Sequence, residues 1–241
     1  MFYGELARLC LAITLLLRGG DPDLIVSIRN GNSAVAQKLI AKGADVNAVD
    51  STKKTALYVA IQRGDKESYQ QLLDKGANPN LCDWVGTSAV HLAAEQADVF
   101  WLREALKHGG NPNLPNTGNA ANPNSRPLFY AIYKNRDENA LALVAAGADI
   151  NHVDGNNNTP LYACMGHGRF SLMIKLIEAG ADPKPPEPAF SIFENGWFSE
   201  NYENLFGVFS TDTEAEIIQS KADYFALKSL LTKKGFFKPT P

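Results

Sequence analysis

Two short marks recur along the chain at one spacing. The first begins with Gly: Gly43-Ala44-Asp45-Val46-Asn47, then GANPN at Gly76, GGNPN at Gly109, GADIN at Gly147 and GADPK at Gly180. These start 33, 33, 38 and 33 residues apart. The second opens an apolar stretch: TALYVA at Thr55, SAVHLA at Ser88, RPLFYA at Arg126 and TPLYAC at Thr159, separated by 33, 38 and 33 residues. Two independent marks share one period and the same enlarged interval. A chain with such a period folds as a row of small, similar units that bury their faces on one another, and it has no need of one central core.

The copy from Gly147 to Gly180 shows what each unit is. A turn-rich run, Asp154 to Asn158, precedes Thr159, whose hydroxyl can cap a helix. Pro160 fits the first helical position, where its missing N–H costs nothing. Gly168 suits the left-handed residue that ends a helix, and Gly180 ends the next in the same way. The unit reads as hairpin, helix, tight turn, helix, loop. Small residues at Ala60, Ala93, Ala131 and Ala163 let the first helices approach closely, and Leu57, Val90, Leu128 and Leu161 plug the space between units. For the second helices the expected core pairs are Leu72 with Leu73, Leu102 with Leu106, Leu141 with Val144, and Ile174 with Ile177.

The period, the Gly-Ala-Asp mark and the Thr-Pro-Leu pattern at Thr159 resemble the ankyrin repeat, over roughly residues 19 to 210. The resemblance implies an all-α solenoid of stacked helix-turn-helix units with hairpin loops, about five to six repeats closed by a helical C-terminal cap. Residues 1–22 then form an N-terminal capping helix, 23–186 the repeats, and 187–241 a divergent repeat and capping helix. His91 alone keeps the family's signature His, which implies a structural histidine bonded near Ser88 rather than a base. Tyr58, Phe129 and Tyr162 fill the same slot in other copies. Lys53 stands where the family usually has Gly, which puts that tight turn in doubt. Arg126 replaces the capping Thr, so its helix is expected to start weakly. The enlarged hairpin, Asn116 to Ser125, reads equally as a binding insertion and as a neutral one.

Both ends depart from the pattern. The apolar run from Leu9 to Leu17 is too short to span a bilayer. It lacks a basic n-region, so it reads as a truncated repeat's helix, with a secretion signal as the other reading. Asp23 to Ala41 reads as a helix pair turning at Asn30-Gly31-Asn32. Between Lys184 and Lys221 there is no Lys or Arg, while Glu187, Glu194, Glu200, Glu203, Asp212, Glu214 and Glu216 fall there with seven aromatics between Phe190 and Phe209. This segment closes the stack, or it is an acidic surface for a basic partner. Thr213 to Glu216 is a capping-box pattern. The last helix follows, with Ile217, Ile218, Tyr224, Phe225, Leu227 and Leu231 expected inside.

The formal charge of −3 argues against nucleic-acid binding, which relies on clustered Lys and Arg. Cys10, Cys82 and Cys164 show no metal spacing and read as reduced thiols in a cytoplasmic protein. No phosphate loop, nucleophile elbow or metalloprotease motif is present, and no cofactor or metal is expected. The family resemblance implies a non-catalytic module, monomeric when unbound, that binds another protein through hairpin tips and first-helix ends. Carried over by position, the tips are Ser51, Thr52, Lys54, Trp84, Val85, Thr87, Asn156 and Asn158. The helix ends are Gln62, Arg63, Glu95, Gln96, Tyr133, Lys134 and His167. Trp84 stands out because a turn tip has no structural need of an indole; it either contacts the partner or folds back on a neighbouring hairpin. An inhibitor or immunity protein for a cognate toxin or enzyme is one specific version. A secreted effector or adaptor with a second docking site in the C-terminal segment is another.

Overall fold

The computed structural model describes residues 22–118, 123–183 and 214–234. Among these residues there are eleven α-helices and no β-strand, only isolated antiparallel bridges at Val49–Thr55, Cys82–Ser88 and Asn116–Ser125. The helices are α1 (Asp23–Arg29), α2 (Ser33–Ala41), α3 (Ala56–Arg63), α4 (Lys66–Asp74), α5 (Ala89–Ala94), α6 (Phe100–Lys107), α7 (Pro127–Tyr133), α8 (Asp137–Ala145), α9 (Pro160–Gly166), α10 (Phe170–Glu178) and α11 (Glu214–Lys233). The chain divides into two compact units, Met1–Ala93 with Asp98–Asn111, and Ala94–Ala97 with Pro112–Pro241.

In the first unit α1 packs on α2 and α3, α3 on α4, α2 on α4, and α4 on α6. In the second, α7 packs on α8 and α9, α9 on α10, and α10 on α11. The first helices α3 and α9 start where their capping residues place them. The Thr55 hydroxyl accepts from Tyr58 N at 3.2 Å, and that of Thr159 from Tyr162 N at 3.2 Å. Arg126 gives α7 no side-chain cap, and Pro127 takes its first turn instead. The Arg126 guanidinium reaches Asp149 at 3.1 Å, so the residue is spent on a neighbouring loop.

The interior follows the expected small and branched positions of the first helices: Leu57, Ala60, Val90, Ala93, Leu128, Ala131, Leu161 and Ala163 are all buried. The second helices differ from expectation. Leu106, Leu141, Val144 and Ile174 are only half-buried, whereas Ala105, Ala140, Leu143, Met173 and Leu176 are closed off from solvent. One position along a helix turns a side chain by about 100°, so a near-continuous apolar run does not reveal which residue points inward. Two large rings also lie inside α4 and α6. The Tyr69 hydroxyl donates to Trp101 O at 2.9 Å, and the two ring centroids are 5.1 Å apart. Burial and nearby Glu104 push the Tyr69 phenol up, so it stays a neutral donor.

A repeated asparagine joins successive loops. Asn47 Oδ1 accepts Asn78 N at 2.7 Å, and Asn80 Oδ1 accepts Asn111 N at 2.7 Å while its Nδ2 donates to Gly109 O at 2.9 Å. In the second unit Asn113 receives Asp149 N at 2.8 Å and donates to Gly147 O at 2.9 Å; Asn151 receives Asp182 N at 2.7 Å. The last Asn of each Gly-Ala-Asp-x-Asn mark is therefore a staple to the next loop. Each staple satisfies a backbone group that would otherwise need water.

α11 lays Tyr224, Leu227 and Leu231 against α10, with the Tyr224 ring 5.6 Å from that of Phe170. Phe225, expected inside with them, is 50% exposed because one position turns it about 100° around the helix from Tyr224. The expected N-terminal capping helix, the tip of the enlarged hairpin at 119–122, the acidic and aromatic segment, and the cap at Thr213 lie outside the described residues.

Candidate functional site

The hairpins are built on one frame, whose first residue is its keystone. Asp50 Oδ1 accepts Thr52 N at 2.8 Å, Lys54 N at 2.9 Å and the Thr52 hydroxyl at 2.7 Å. Asp83 Oδ1 accepts Val85 N at 3.0 Å and Thr87 N at 2.9 Å; Asp154 Oδ1 accepts Asn156 N at 2.9 Å and Asn158 N at 2.8 Å. Asn116 does the same work in the enlarged copy, taking Gly118 N at 3.0 Å. Burial alone would raise the Asp50 carboxyl. The Thr52 hydroxyl, the Lys54 and Thr52 N–H groups and the paired Arg29 outweigh it and hold the group below the usual carboxylate range.

The next-to-last residue of every frame is left-handed: Lys53 at φ 61°, Gly86 at 75°, Asn124 at 60° and Asn157 at 61°. The turn at Lys53 therefore forms without Gly. Its backbone strain is set against a closed hydrogen-bond frame and the place its ammonium takes, 4.5 Å over the Trp84 ring.

Neighbouring hairpins are joined at the tip. In the first unit Trp84 N donates to Thr52 O at 3.3 Å, and in the second Gly155 N donates to Pro123 O at 2.7 Å. The Trp84 indole N–H also donates to Ser51 O at 3.0 Å. Trp84 thus folds across the neighbouring hairpin and still presents 66% of its surface, with Val85 beside it at 55%.

The expected site residues fall into two groups, one in each unit. In the first, Ser51, Thr52, Trp84 and Val85 form the joined tips, and Thr87 closes the Asp83 frame. Lys54 is half-buried with its ammonium 5.2 Å over the Tyr58 ring. Gln62 and Arg63 end α3 exposed. A pocket of about 250 Å³ lies among Arg29, Asp50, Ser51, Thr52, Lys54 and Gln62.

In the second unit Tyr133 and the exposed His167 bring their rings within 5.5 Å, and Lys134 is exposed. Asn156 is exposed at its tip, while the Asn158 carboxamide turns back to Asp154 at 3.4 Å. Glu95 and Gln96 are half-buried, and their carbonyls accept Arg136 Nε at 3.0 Å and Asn139 Nδ2 at 2.8 Å. Burial pushes the Glu95 carboxyl up, against the pull of Lys134. His91 is closed from solvent, its Nδ1 within 3.2 Å of Ser88 N and 2.9 Å of Ser88 Oγ.

A family model described as ankyrin repeats in three copies matches residues 9–83, and a second, described as ankyrin repeats in many copies, matches residues 128–177. Together they span just over half the sequence. The chain is an ankyrin-repeat protein. A search of curated proteins gives no match. Ankyrin repeats are generally protein–protein interaction modules, which agrees with a site made of exposed tips. No helix among the described residues is long and apolar enough to cross a membrane.

Four features of the ankyrin hairpins were not singled out beforehand: the Asp50, Asp83 and Asp154 keystones, the part of Lys53 at the tip, the pocket beside Arg29, and the Asn staples. The keystones and staples did leave a signal, because each recurs in step with the repeat marks.

Proposed function

We propose that this ankyrin-repeat protein is a non-catalytic binder that holds a folded protein partner on its hairpin tips, with Trp84 at the centre of the contact. The observation that carries this is the state of the indole. It is fixed by a hydrogen bond to Ser51 O and a cation above its ring, yet most of it faces solvent beside exposed Val85. A large amphipathic ring held in place binds with little ordering entropy, and Trp is among the residues most enriched at binding hot spots.

The groups that resemble catalysts support the non-catalytic reading. His91 Nδ1 is engaged with Ser88. The Cys164 thiol is pushed up chiefly by burial and next by Asp137, so it stays protonated and a poor nucleophile.

The test is quantitative affinity capture with the full chain, comparing wild type with Trp84→Ala and following each retained protein. A partner held at this site should lose about 2 kcal/mol of binding, roughly 30-fold in Kd, with unfolding shifted by less than about 1 kcal/mol. Equal retention by both proteins would remove Trp84 from the contact.

A further inference from the structure

The tip in the first unit is basic as well as aromatic. The carboxylates of its two hairpins are turned inward: Asp50 and Asp83 are 7% and 8% exposed and accept the frame N–H groups. What remains outside is cationic. Lys53 lies over Trp84 and Lys54 over Tyr58, while Arg63, at the far end of α3, sets its guanidinium by the Gly31 turn. Among the described residues no carboxylate lies within ion-pair range of these three; the ion pairs nearby in sequence belong to Arg29 with Asp50 and Lys66 with Asp98. Next to them lies the pocket among Arg29, Asp50, Ser51, Thr52, Lys54 and Gln62, where Asp50 is already taken by Arg29 and the Thr52 hydroxyl and the Lys54 ammonium is the cation outside that pair.

Resting on the Trp84-centred reading, we infer that the segment bound here is acidic. An Asp or Glu of the partner enters the pocket beside Lys54, and a neighbouring aliphatic side chain packs on Trp84 and Val85. Charge complementarity selects this occupant. A basic segment would meet Lys53 and Lys54 with no exposed carboxylate of either hairpin frame to pair with, and like charges at a contact reject a partner.

The test uses the full chain immobilised against a displayed library of random short peptides. Enriched peptides are synthesised with a fluorophore and titrated by anisotropy against three proteins: wild type, Trp84→Ala, and Lys53→Asn with Lys54→Glu. Asn is chosen because it accepts the left-handed backbone at position 53, and circular dichroism checks each fold.

The expected outcome is enrichment of Asp or Glu beside a branched aliphatic residue. Affinity for these peptides should fall about tenfold in the lysine variant. It should also fall several-fold as ionic strength rises from about 0.05 M to about 0.3 M. Neutral or basic winners, no winners, or acidic winners indifferent to the lysine variant would each overturn the inference. If enriched peptides lose affinity in Trp84→Ala and not in the lysine variant, the acidic partner is wrong and the Trp84-centred site stands. If neither variant matters, both readings fall. A labelled oligodeoxythymidylate is run in parallel. Tighter binding of it than of any peptide, lost in the lysine variant, would make the surface a nucleic-acid site and overturn the acidic segment.

Discussion

The hairpin tips of the first unit and those of the second share a backbone and differ in almost everything else. In both, an Asp or Asn keystone gathers the turn N–H groups, the next-to-last residue is left-handed, and one N–H joins a tip to the carbonyl of the tip before it. The donor of that joining bond is Trp84 in one unit and Gly155 in the other. At Trp84 a whole indole projects outward and is held from two sides. At Gly155 even a Cβ atom would sit 2.3 Å from Pro123 Cγ. The first tip carries Lys53 and Lys54, whereas the second carries Gly155-Asn156-Asn157-Asn158 and no charge beyond its keystone. The frame is thus a support that fixes the backbone and leaves the tip side chains open to be chosen for other reasons.

If the frame is shared, breaking it should hurt both units alike. Asp83→Ala and Asp154→Ala each strip two part-buried N–H groups of a charged acceptor, and each should cost about 2–3 kcal/mol, read from urea unfolding. A large loss at one site and none at the other would show that the two frames are held differently. Gly155→Ala tests the opposite half of the comparison, the crowding unique to the second unit. With Pro123 O as well as its ring in the way, the methyl should cost about 1–3 kcal/mol. A neutral result would mean that the Pro123 tip yields, and that the second unit could carry a larger tip residue.

The legibility of these features follows their range along the chain. Caps at Thr55 and Thr159, the Gly31 and Gly168 turns and the Ser88–His91 pair depend on residues a few positions apart, and all were legible, the last through the family resemblance. The staples were present as Asn47, Asn80, Asn113 and Asn151, but their partners lie 29 to 36 residues on, in the next loop. Only stacking reveals what they hold. The inward positions of the second helices were misassigned for a different reason. In α8, Leu141, Leu143 and Val144 are equally apolar, and only Leu143 is closed off, so hydrophobicity carried no information about rotation. The exposure of the tip groups was expected from the repeat pattern. The way Lys53 and Ser51 hold Trp84 was not, because it joins two hairpins that are 33 residues apart.

Asn116 occupies the keystone place that Asp50 occupies, so Asp50→Asn keeps the Oδ1 acceptor and gives up the charge together with the Oδ2 that receives Arg29. It should cost about 1 kcal/mol at neutral pH, less than an Ala keystone. It should also flatten the acid limb. The folded Asp50 carboxyl lies below its ordinary value of 3.8, so its contribution is complete above that pH and is lost as pH falls through the lower folded value. Stability at pH 7 minus stability near pH 3 should therefore be smaller in the variant than in wild type. An unchanged difference would mean that Arg29 and the frame N–H groups do not favour the ionised form.

The smallest effect on stability belongs to the most conspicuous side chain. Trp84 is mostly solvated, and its exposed cation contact with Lys53 is worth about 0.5–1 kcal/mol. The indole N–H lost from Ser51 O leaves an exposed carbonyl that water can satisfy. The backbone bond from position 84 to Thr52 O does not depend on the side chain and survives truncation. Trp84→Ala should accordingly shift unfolding by less than about 1 kcal/mol, well below either keystone truncation. A loss of about 2–3 kcal/mol, the size expected of a keystone, would make the indole part of the frame, and the division between support and tip would fail at its centre.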